Sequence, residues 1–442
     1  MRERITGLFI PAECLPGMDG YTNAAAGLGE ASPLTAAATF VRSGLSRDTE
    51  KLTAAYRGNY IAKRIIDGPS EDATREWYTL SVPSMGEEDL RQLKKLEAKH
   101  SVKQEITDAI RWARLYGGSI AIMITYGDQD RMDTRLDPKR LRPGCFMGLL
   151  VVDMTQEITP SLEMEDDLDD PEYGLPEYYE VSVAGKQGEN RRMKIHHSRV
   201  LRFTGRELPR EEMIRNDYWG ASELEHVWDA LIRHDSGSEN TARMTYMSNL
   251  VTLKMGSLGA DLAYGSDRTK ESAIRAVEEE NRLRSSYGTQ LLSEGDSMET
   301  HPYNFGGLAE ILDIFMMDVA GAAEMPCTKI FGRSPQGMNA TGRSDEKNYS
   351  DMVGRLQERI LRPALEKLLP VMAVSCWGMI PEDMEIRFNP LVTMSPGERA
   401  ELARQAAEEI RILLECGVIT AEEAREKIKA PETGGNGWGT IL

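Results

Sequence analysis

The stretch that decides the fold reads LAEILDIFMMDVAGAAEMP over residues 308–326 and CTKIFGRSPQGMNATGR over residues 327–343. Apolar side chains recur in the first part with i, i+3, i+4, i+7 spacing, which predicts an amphipathic helix. Pro326 ends this helix, since proline lacks an amide donor and disfavours helix in the residue before it. A second long helix is predicted to run from the end of the loop to Leu369. A long polar loop between two helices is more often functional than accidental. The apolar positions are Leu308, Ile311, Leu312, Phe315, Met316, Val319, Ala320 and Ala323.

The composition is that of an ordinary soluble globular protein. The chain has 442 residues, of which 40% are hydrophobic and 28% charged. This length is enough for two or three packed units. No apolar run approaches the length of a membrane span, and the short apolar run Ile5–Ile10 does not resemble a secretory signal. We therefore expect no membrane association.

Cysteine usage and net charge exclude several classes of protein. The five cysteines are widely spaced and form no CxxC pair, so neither a disulfide framework nor a zinc site is predicted. Reduced thiols in a cytosolic setting are the expectation. The formal charge of −18 opposes a tight DNA clamp, because neutralisation of phosphates by cations supplies most non-specific affinity for DNA. Contact with DNA would have to come from a local basic patch.

The first half of the chain reads as an α+β region. Residues 1–45, rich in Gly, Ala, Pro and Thr, suggest a loosely held arm. Ser101 with Gln104, and Ser222 with Glu225, look like capping boxes that open helices. The predicted helices are Asp48–Ile66, Glu87–His100, Ser101–Tyr116 and Ser222–Leu250. The predicted strands are Ser119–Tyr126, Leu149–Asp153, Tyr178–Val183, Met193–Ile195 and Val200–Phe203.

The second half is mainly helical. Residues 251–305 form a small mixed insert, with a charged helix at Ser266–Ser285 and a short strand at Thr289–Leu292. After the helix, loop and helix of residues 308–369, Ser395 caps a helix that ends before Gly417. A last short helix starts at Thr420, before a tail that we expect to be flexible.

The loop resembles a phosphate-binding P-loop in its glycine spacing alone. Gly332 and Gly337 are correctly spaced, but Met338 and Asn339 stand where Lys and Ser or Thr are required. Without the lysine no charge reaches the β/γ-phosphates, and without the hydroxyl there is no magnesium ligand. Nucleotide hydrolysis and a bound cofactor are therefore not expected.

The acidic run Glu163–Glu172 contains seven carboxylates. A calcium loop needs a glycine at its sixth position, whereas counting from Asp167 places Glu172 there. A solvated acidic loop is favoured over a metal site.

Two His-x-Ser units, beginning at His196 and His234, match the type used by two-histidine phosphoesterases. In those enzymes one histidine serves as base and the other as acid around a phosphodiester. The second unit falls in a predicted helix, whereas this chemistry places both histidines on neighbouring strands. The phosphodiesterase interpretation remains an alternative, and no catalytic residue is assigned.

Basic residues also cluster on a predicted hairpin. Solvent-facing strand positions are the favoured interpretation, and contact with an acidic partner is the alternative. The residues are Arg191, Arg192, Lys194, Arg199 and Arg202.

The loop carries polar and basic side chains, with Lys329 at one shoulder, that can meet DNA phosphates through side chains and backbone amides. One copy would bind DNA weakly, but a ring of copies could contact a duplex on all sides. The candidate DNA-proximal residues are Arg333, Ser334, Gln336, Asn339, Thr341, Arg343 and Lys347.

Several motifs together resemble the portal proteins of tailed double-stranded-DNA bacteriophages, over about residues 46–430. The motifs are YIAKRIIDGP at residues 60–69 with Trp77, WARLYGGS at 112–119, IHHSRVLRF at 195–203, YWGAS at 218–222, IFGR at 330–333 and GVITAEEAR at 417–425.

The resemblance implies an α+β, portal-like fold with named parts. These are a flexible arm (1–45), an α+β wing (46–220), a first stem helix (221–250), a small α/β clip (251–305), a second stem helix (306–326), a tunnel-loop region (327–344), a wing helix and strand (345–392) and a helical crown with its tail (393–442). It also implies a homo-oligomeric ring, typically a dodecamer, at one capsid vertex of the virion, assembled in the host cytoplasm. Double-stranded DNA would pass through its channel during packaging and ejection.

The resemblance also implies partners and leaves alternatives. The clip would meet the terminase large subunit and later the head–tail adaptor, and the ring would contact the major capsid or scaffold protein. Some phage proteins with a similar amino-terminal region are associated with a nucleotide-degrading phosphoesterase, anti-CBASS-like activity. Another head–tail connector ring is a further alternative. The candidate clip contacts are Arg268, Lys270, Glu271, Glu278 and Arg282.

Overall fold

The computed structural model describes most of the chain between residues 45 and 417 and confirms a mixed α+β fold. No described helix combines the length and hydropathy needed to cross a bilayer. The expected arm, the strand at Thr289–Leu292, the helix starting at Thr420 and the tail lie outside the described residues, apart from residue 420 itself. The residues described are 45–127, 131–156, 158–169, 172–184, 190–247, 251–254, 266, 268, 270–272, 275, 297–300, 305–333, 343–391, 396–417 and 420.

The amino-terminal helices depart from the sequence prediction at Asn59, where the helix is interrupted, and after Ile66, where the helix continues to Arg75. They are α1 (Thr49–Gly58), α2 (Tyr60–Arg75), α3 (Glu87–Lys99) and α4 (Val102–Tyr116). The prediction of one helix over Asp48–Ile66 is wrong, because Asn59 has an extended backbone, with φ of −117°. Its side-chain oxygen accepts from the amide of Ile61 at 2.8 Å and caps α2.

The two predicted capping boxes have different outcomes. Ser101 precedes α4 in the left-handed region, with φ of 50°, and its side chain makes no capping hydrogen bond, so that capping box is wrong. Ser222 does cap the next long helix, since its Oγ accepts from the amide of Leu224 at 3.2 Å, but its own amide donates to Ser46 Oγ rather than to Glu225, so only half of the box is formed. The helices that follow both serines are present.

The strands among the described residues form four small antiparallel sheets. In the first half, β2, β3, β5, β6 and β7 include all five predicted strands apart from Tyr126, at the end of the first. One three-stranded sheet has the order β3-β2-β7 and another has the order β4-β5-β6, while β1 pairs with β10 and β8 with β9. The strands are β1 (Tyr78–Ser81), β2 (Gly118–Thr125), β3 (Phe146–Asp153), β4 (Thr159–Pro160), β5 (Tyr178–Ala184), β6 (Asn190–His196), β7 (Val200–Thr204), β8 (Val251–Lys254), β9 (Ser297–Thr300) and β10 (Glu385–Phe388).

Two glycine motifs meet where α4 turns into β2. Gly117 has φ of +84°, and its carbonyl oxygen accepts from the amides of Gly205 at 2.9 Å and Gly220 at 3.0 Å. A Cβ on Gly118 would lie 2.3 Å from the buried ring of Trp219. Only glycine fits where the backbones approach this closely.

The remaining helices include the two that flank the insert. They are α5 (Arg210–Arg215), α6 (Glu223–Met247), α7 (Leu308–Ala322), α8 (Cys327–Phe331), α9 (Arg343–Leu356), α10 (Arg362–Trp377) and α11 (Pro396–Glu415). One π-helical segment, Gln357–Leu361, joins α9 to α10, next to Pro363, whose missing amide interrupts regular helical bonding. The predicted long helices therefore exist, but the one expected to end at Leu369 continues through Pro370 to Trp377.

The long helices α6 and α7 pack side by side. The Phe315 ring of α7 lies over Gly237 of α6, and Arg233 Nε donates to Asp318 Oδ2 at 3.1 Å. Only part of the apolar stripe of α7 is buried. The buried residues of α7 are Met316, Val319 and Ala320.

The main core joins α2, α4, α10 and the inner face of β2, with side chains such as Ile65, Ile110 and Leu365. A smaller core, which includes Tyr179, Ile195 and Trp219, lies between the two three-stranded sheets. The base of the predicted loop, at α8, attaches to the main core through Ile330.

Candidate functional site

The first shoulder of the predicted DNA-proximal loop is tied to its surroundings by cationic side chains. Lys329 Nζ lies 2.9 Å from Asp72 Oδ2, and Arg64 donates to the carbonyl oxygen of Ile330 at 2.8 Å. The guanidinium of Arg333 lies 3.5 Å from Asp313 Oδ1 on α7. Lys329 and Arg333 are thus engaged with the protein's own carboxylates, and the role of Arg333 as a DNA contact remains a prediction.

The second shoulder begins at α9. Arg343 starts this helix, but its side chain lies outside the described residues, as do Ser334, Gln336, Asn339 and Thr341. Lys347 is exposed on α9, next to exposed Asp345 and Glu346. Of the seven candidate residues, the structure therefore describes the side chains of two, Arg333 and Lys347, and both are exposed.

Asp72 of α2 connects the two shoulders, which sequence reasoning did not anticipate. Its Oδ2 accepts from the Tyr349 hydroxyl at 2.8 Å, and its Oδ1 lies 2.8 Å from Arg75. Burial, followed by the nearby Asp72 carboxylate, raises the pKa of Tyr349 far above its usual value. Lys329 also lies over the Tyr349 ring, with Nζ 5.1 Å from the centroid. The ends of the loop are thus held together by one acidic residue.

The candidate clip contacts are only partly described. Arg268, Lys270 and Glu271 are helical, and Arg268 and Glu271 are exposed while Lys270 is half-buried. Glu278 and Arg282 lie outside the described residues. The predicted charged helix is present at the described positions between 268 and 275.

The acidic run Glu163–Glu172 is not simply a solvated loop, which corrects that expectation. Glu165 is 8% exposed and lies 2.8 Å from Nε2 of the buried His197, at ion-pair distance but without hydrogen-bond alignment. Glu172 lies 2.6 Å from His197 Nδ1 and 2.7 Å from Lys367 Nζ. Burial raises the pKa of Glu172, but the hydrogen bonds and charges of His197 and Lys367 outweigh it and lower the pKa overall. The run is anchored by two inward carboxylates.

The two His-x-Ser units lie on different kinds of element. His196 ends β6, and its Nδ1 accepts from the Ser198 amide at 3.1 Å. Burial, together with the charge of His197, lowers the pKa of His196 to about 4. His234 lies inside α6, with its ring centroid 5.4 Å from that of Phe331. His196 and His234 are therefore both engaged with neighbouring groups of the protein, and the geometry of paired strands is not met.

The basic cluster on the hairpin is divided between surface and interior. Arg192 and Lys194 are exposed, as expected. Arg199 is 1% exposed, and its Nε donates to the carbonyl oxygen of Thr134 at 2.7 Å. Arg202 stacks on Trp219, with its guanidinium carbon 4.7 Å from the ring centroid. For Arg199 and Arg202 the expectation of a solvent-facing position is wrong, because both satisfy groups in the interior.

Within the part of the chain that the structure describes, no group of three or more His, Cys, Asp or Glu side chains is arranged to hold a metal ion. The described cysteines Cys145, Cys327, Cys376 and Cys416 are free thiols.

Curated relatives cover most of this chain. It is 29% identical over 393 residues to an uncharacterized protein of Haemophilus influenzae, an alignment that covers 88% of this chain and 86% of that protein. It is 30% identical over 410 residues to the anti-CBASS protein Acb1 of Caulobacter sp., which covers 90% of this chain but 63% of that protein. An Acb1 protein of Sphingomonas paeninsulae is 27% identical, with 91% of this chain and 63% of the relative covered. The chain thus spans less than two thirds of both Acb1 proteins.

Solved structures of particle necks share the fold. One is a chain from the neck of a native GTA particle computed with C12 symmetry, which is 16% identical with a TM-score of 0.53 and covers 88% of this chain and 94% of that chain. Another comes from the virion of a native gene transfer agent particle, at 17% identity and a TM-score of 0.51, with the same coverage. At these identities the likeness shows the fold alone.

A protein-family comparison covers nearly all of the described elements, from α1 to most of α11. The model described as phage portal protein matches residues 50–412, which is most of the chain. This chain therefore belongs to the phage portal protein family.

Proposed function

We propose that this chain is the portal subunit of a bacteriophage or phage-like particle, in which copies form a ring at one capsid vertex. The ring would serve as the conduit for double-stranded DNA during packaging and ejection. Family membership supports a portal role, and the shared fold of particle-neck chains is consistent with a ring. From the resemblance to portal proteins we propose twelve subunits in each ring. The assembled ring would be part of the virion.

The observation that carries this proposal is the exposed apolar surface of the two stem helices, α6 and α7. Ile311 is 48% exposed, Ile314 is 57% exposed and Met317 is 38% exposed, all on α7. Met244 on α6 is 41% exposed. Several exposed apolar side chains on one pair of helices are typical of a protein–protein interface. In a ring, the stem of a neighbouring copy would cover them.

The charge of the chain fits a conduit that DNA does not adhere to. A formal charge of −18 for each copy repels the duplex, so that sliding is not opposed by persistent contacts. We propose that the loop between α8 and α9 faces the channel, with Arg343 and Lys347 supplying its positive charge. Arg333, which is tied to Asp313, would hold the base of the loop on the stem.

Assignment of the remaining parts follows the same proposal. The region of α1–α4 and β1–β7 would be the wing, and α11 would belong to the crown. Residues 251–305 would be the clip, whose charged residues Arg268, Lys270 and Glu271 are available to the terminase large subunit and the head–tail adaptor. The wing would meet the major capsid or scaffold protein, and assembly would take place in the host cytoplasm.

Native mass spectrometry and negative-stain imaging of the purified chain test the ring. We expect closed rings of uniform subunit number, and a monomer under all salt and protein concentrations would reject the proposal. Deletion of residues 334–341 tests the loop separately. Rings should still form while the yield of packaged genome falls, and an unchanged yield would reject a DNA role for the loop.

A phosphodiesterase acting on linear or cyclic oligonucleotides is the second candidate, because two relatives carry the name anti-CBASS protein. We propose that any such activity resides in the part of those relatives that this chain does not match. His196 and His234 are held in structural roles, which supports this view. The purified chain should leave cyclic oligonucleotides intact. Turnover that is lost with His196→Asn or His234→Gln would establish the enzyme instead.

A further inference from the structure

A strongly basic surface segment lies far in sequence from the predicted tunnel loop. Residues 131–142 read RMDTRLDPKRLR, with five cationic and two acidic side chains. Asp137 is already used, since it caps the short helical turn Pro138–Arg140 and lies 3.3 Å from Arg140. Within the described residues, Arg131, Lys139 and Arg142 make no ion pair. The segment therefore has a net positive charge, whereas the whole chain has a net charge of −18. The exposed cations are Arg131, Arg135, Lys139, Arg140 and Arg142.

The backbone of this segment is fixed by hydrogen bonds to residues 196–199. The Met132 carbonyl oxygen accepts from the His196 amide at 2.9 Å, and the Leu136 amide donates to Ser198 Oγ at 2.7 Å. Between them, the buried guanidinium of Arg199 donates to the carbonyl oxygen of Thr134 at 2.7 Å. The motif that includes His196, Ser198 and Arg199 thus fixes the segment at three points, which gives this motif a role.

The same anchoring decides which side chains face outward. Met132 and Leu136 are each 6% exposed, so the apolar residues at these positions point into the protein. Protein–protein interfaces depend on buried apolar and aromatic anchors, and among the described side chains of this segment no large apolar one is exposed. What remains on the surface is mainly arginine, whose planar guanidinium matches phosphate oxygens. These features favour a polyanion over an acidic protein.

We propose that residues 131–142 form a second DNA-contact surface, which binds backbone phosphates of double-stranded DNA without reading the bases. This surface is distinct from the tunnel loop and does not depend on the loop contacting DNA. The sequence places Asp128 and Asp130 just before the segment, so the contact should be weak and strongly dependent on salt. Weak contact suits DNA that must be released.

Fluorescence anisotropy with a labelled random-sequence duplex of about 30 base pairs, titrated with the full chain at several salt concentrations, tests this proposal. The triple variant Arg131→Gln/Lys139→Gln/Arg142→Gln should bind at least about tenfold more weakly at low salt. The slope of log affinity against log salt concentration should become shallower by about 2 to 3, because each lost phosphate contact removes about 0.9.

A charge-matched variant distinguishes a site from general electrostatics. Arg57→Gln/Lys95→Gln/Arg210→Gln removes the same charge from exposed positions on α1, α3 and α5 and should change affinity less than threefold. Equal losses in both variants, unchanged binding in the first, or no binding by the wild-type chain at low salt would each overturn the proposal. Loss of ring assembly with unchanged DNA binding would also overturn it and indicate an acidic protein partner. Ring imaging of the same samples reports on the portal role independently.

Discussion

The Phe315 ring of α7 lies directly on the backbone of Gly237 in α6. A Cβ built on Gly237 would lie 2.7 Å from Phe315 Cε2 and 2.8 Å from Cδ2. Glycine in the middle of a long helix costs helix propensity, so its presence here needs a reason. The close approach of the two helices at this crossing supplies that reason, and it makes the two residues energetically coupled.

Gly237→Ala should therefore have an effect whose sign depends on residue 315. Alanine gains about 1 kcal/mol of helix propensity over glycine, but overpacking against a ring costs about 1–3 kcal/mol. We expect the free energy of unfolding to fall by about 1 kcal/mol in the wild-type background. With Phe315→Leu present, the same change should raise it by up to about 1 kcal/mol.

Urea unfolding of the two single variants and the double variant measures this coupling as a double-mutant cycle. Equal effects of Gly237→Ala in both backgrounds would show that the ring and the glycine do not constrain each other.

Gly118→Ala should be far more damaging. Its Cβ would lie 2.3 Å from the ring of Trp219, which is 1% exposed and has no room to move. We expect the free energy of unfolding to fall by about 3 kcal/mol or more, which would be seen as a lower thermal midpoint or as insoluble protein. Gly354→Ala in α9 is the matched control, since nothing lies within 4 Å of its Cβ position. The free energy of unfolding of the control should rise by up to about 1 kcal/mol. Similar losses of stability in both variants would show that the clash with Trp219 is not the cause.

The burial of His196 predicts a pH dependence of stability. Its pKa falls to about 4 in the folded protein, against about 6.5 in the unfolded chain. Between these values the unfolded state binds the additional proton, so stability is full above about pH 6.5 and is lost as the pH falls towards 4. The total loss attributable to His196 is about 3 kcal/mol.

Denaturant titrations at several pH values between 7.5 and 4.5, for the wild-type chain and for His196→Asn, measure this contribution. Asparagine keeps an acceptor for the Ser198 amide but has no proton to gain. The difference in unfolding free energy between the two proteins should change steadily from pH 6.5 downwards. A constant difference over this range would mean that His196 does not titrate on unfolding.

The buried ion cluster around His197 should respond to single and double substitutions differently. Both ring nitrogens lie close to carboxylate oxygens, Nδ1 at 2.6 Å from Glu172 and Nε2 at 2.8 Å from Glu165. His197→Gln removes the ring that lies between Glu165 and Glu172 and should cost about 3–5 kcal/mol. Adding Glu165→Gln should recover part of that loss, which thermal unfolding of the two single variants and the double variant would detect. Purely additive losses would argue against an ion cluster.

Sequence patterns predicted the helices and strands of this chain well where the signal is local. The stripe on α7 and the glycines at the end of α4 are examples, because periodicity and turn chemistry act over a few residues. Apolar periodicity does not reveal the break at Asn59, because α1 and α2 are both amphipathic and a single capping residue separates them. The left-handed Ser101 was mistaken for a capping serine, since composition does not reveal backbone geometry.

Pairings between distant segments were beyond sequence reasoning. Glu165 and Glu172 belong to a run that looks solvated, yet they meet a histidine from the end of β6 and a lysine from α10. Arg199 looked like a surface residue of a hairpin, but it anchors the segment at Thr134. Such partners are tens to hundreds of residues apart, and a single sequence carries no signal that links them.

The exposed face of α7 gives the sharpest test of assembly. Ile311→Glu/Ile314→Glu places two carboxylates where a neighbouring stem would cover apolar side chains, and burying unpaired charge is costly. The variant should remain folded, because both side chains are about half exposed in one copy, yet it should fail to form rings. Native mass spectrometry reports the assembly state, and circular dichroism with thermal unfolding reports the fold.

Two controls separate this face from apolar exposure in general. Met379→Glu changes a residue that is 54% exposed after α10, and rings should still form. Ile311→Leu/Ile314→Leu keeps the apolar character and should assemble like the wild type. Rings formed by the glutamate variant at wild-type concentrations would show that subunits do not meet through α7. The ring would then need an interface elsewhere on the chain, while the portal family assignment would stand.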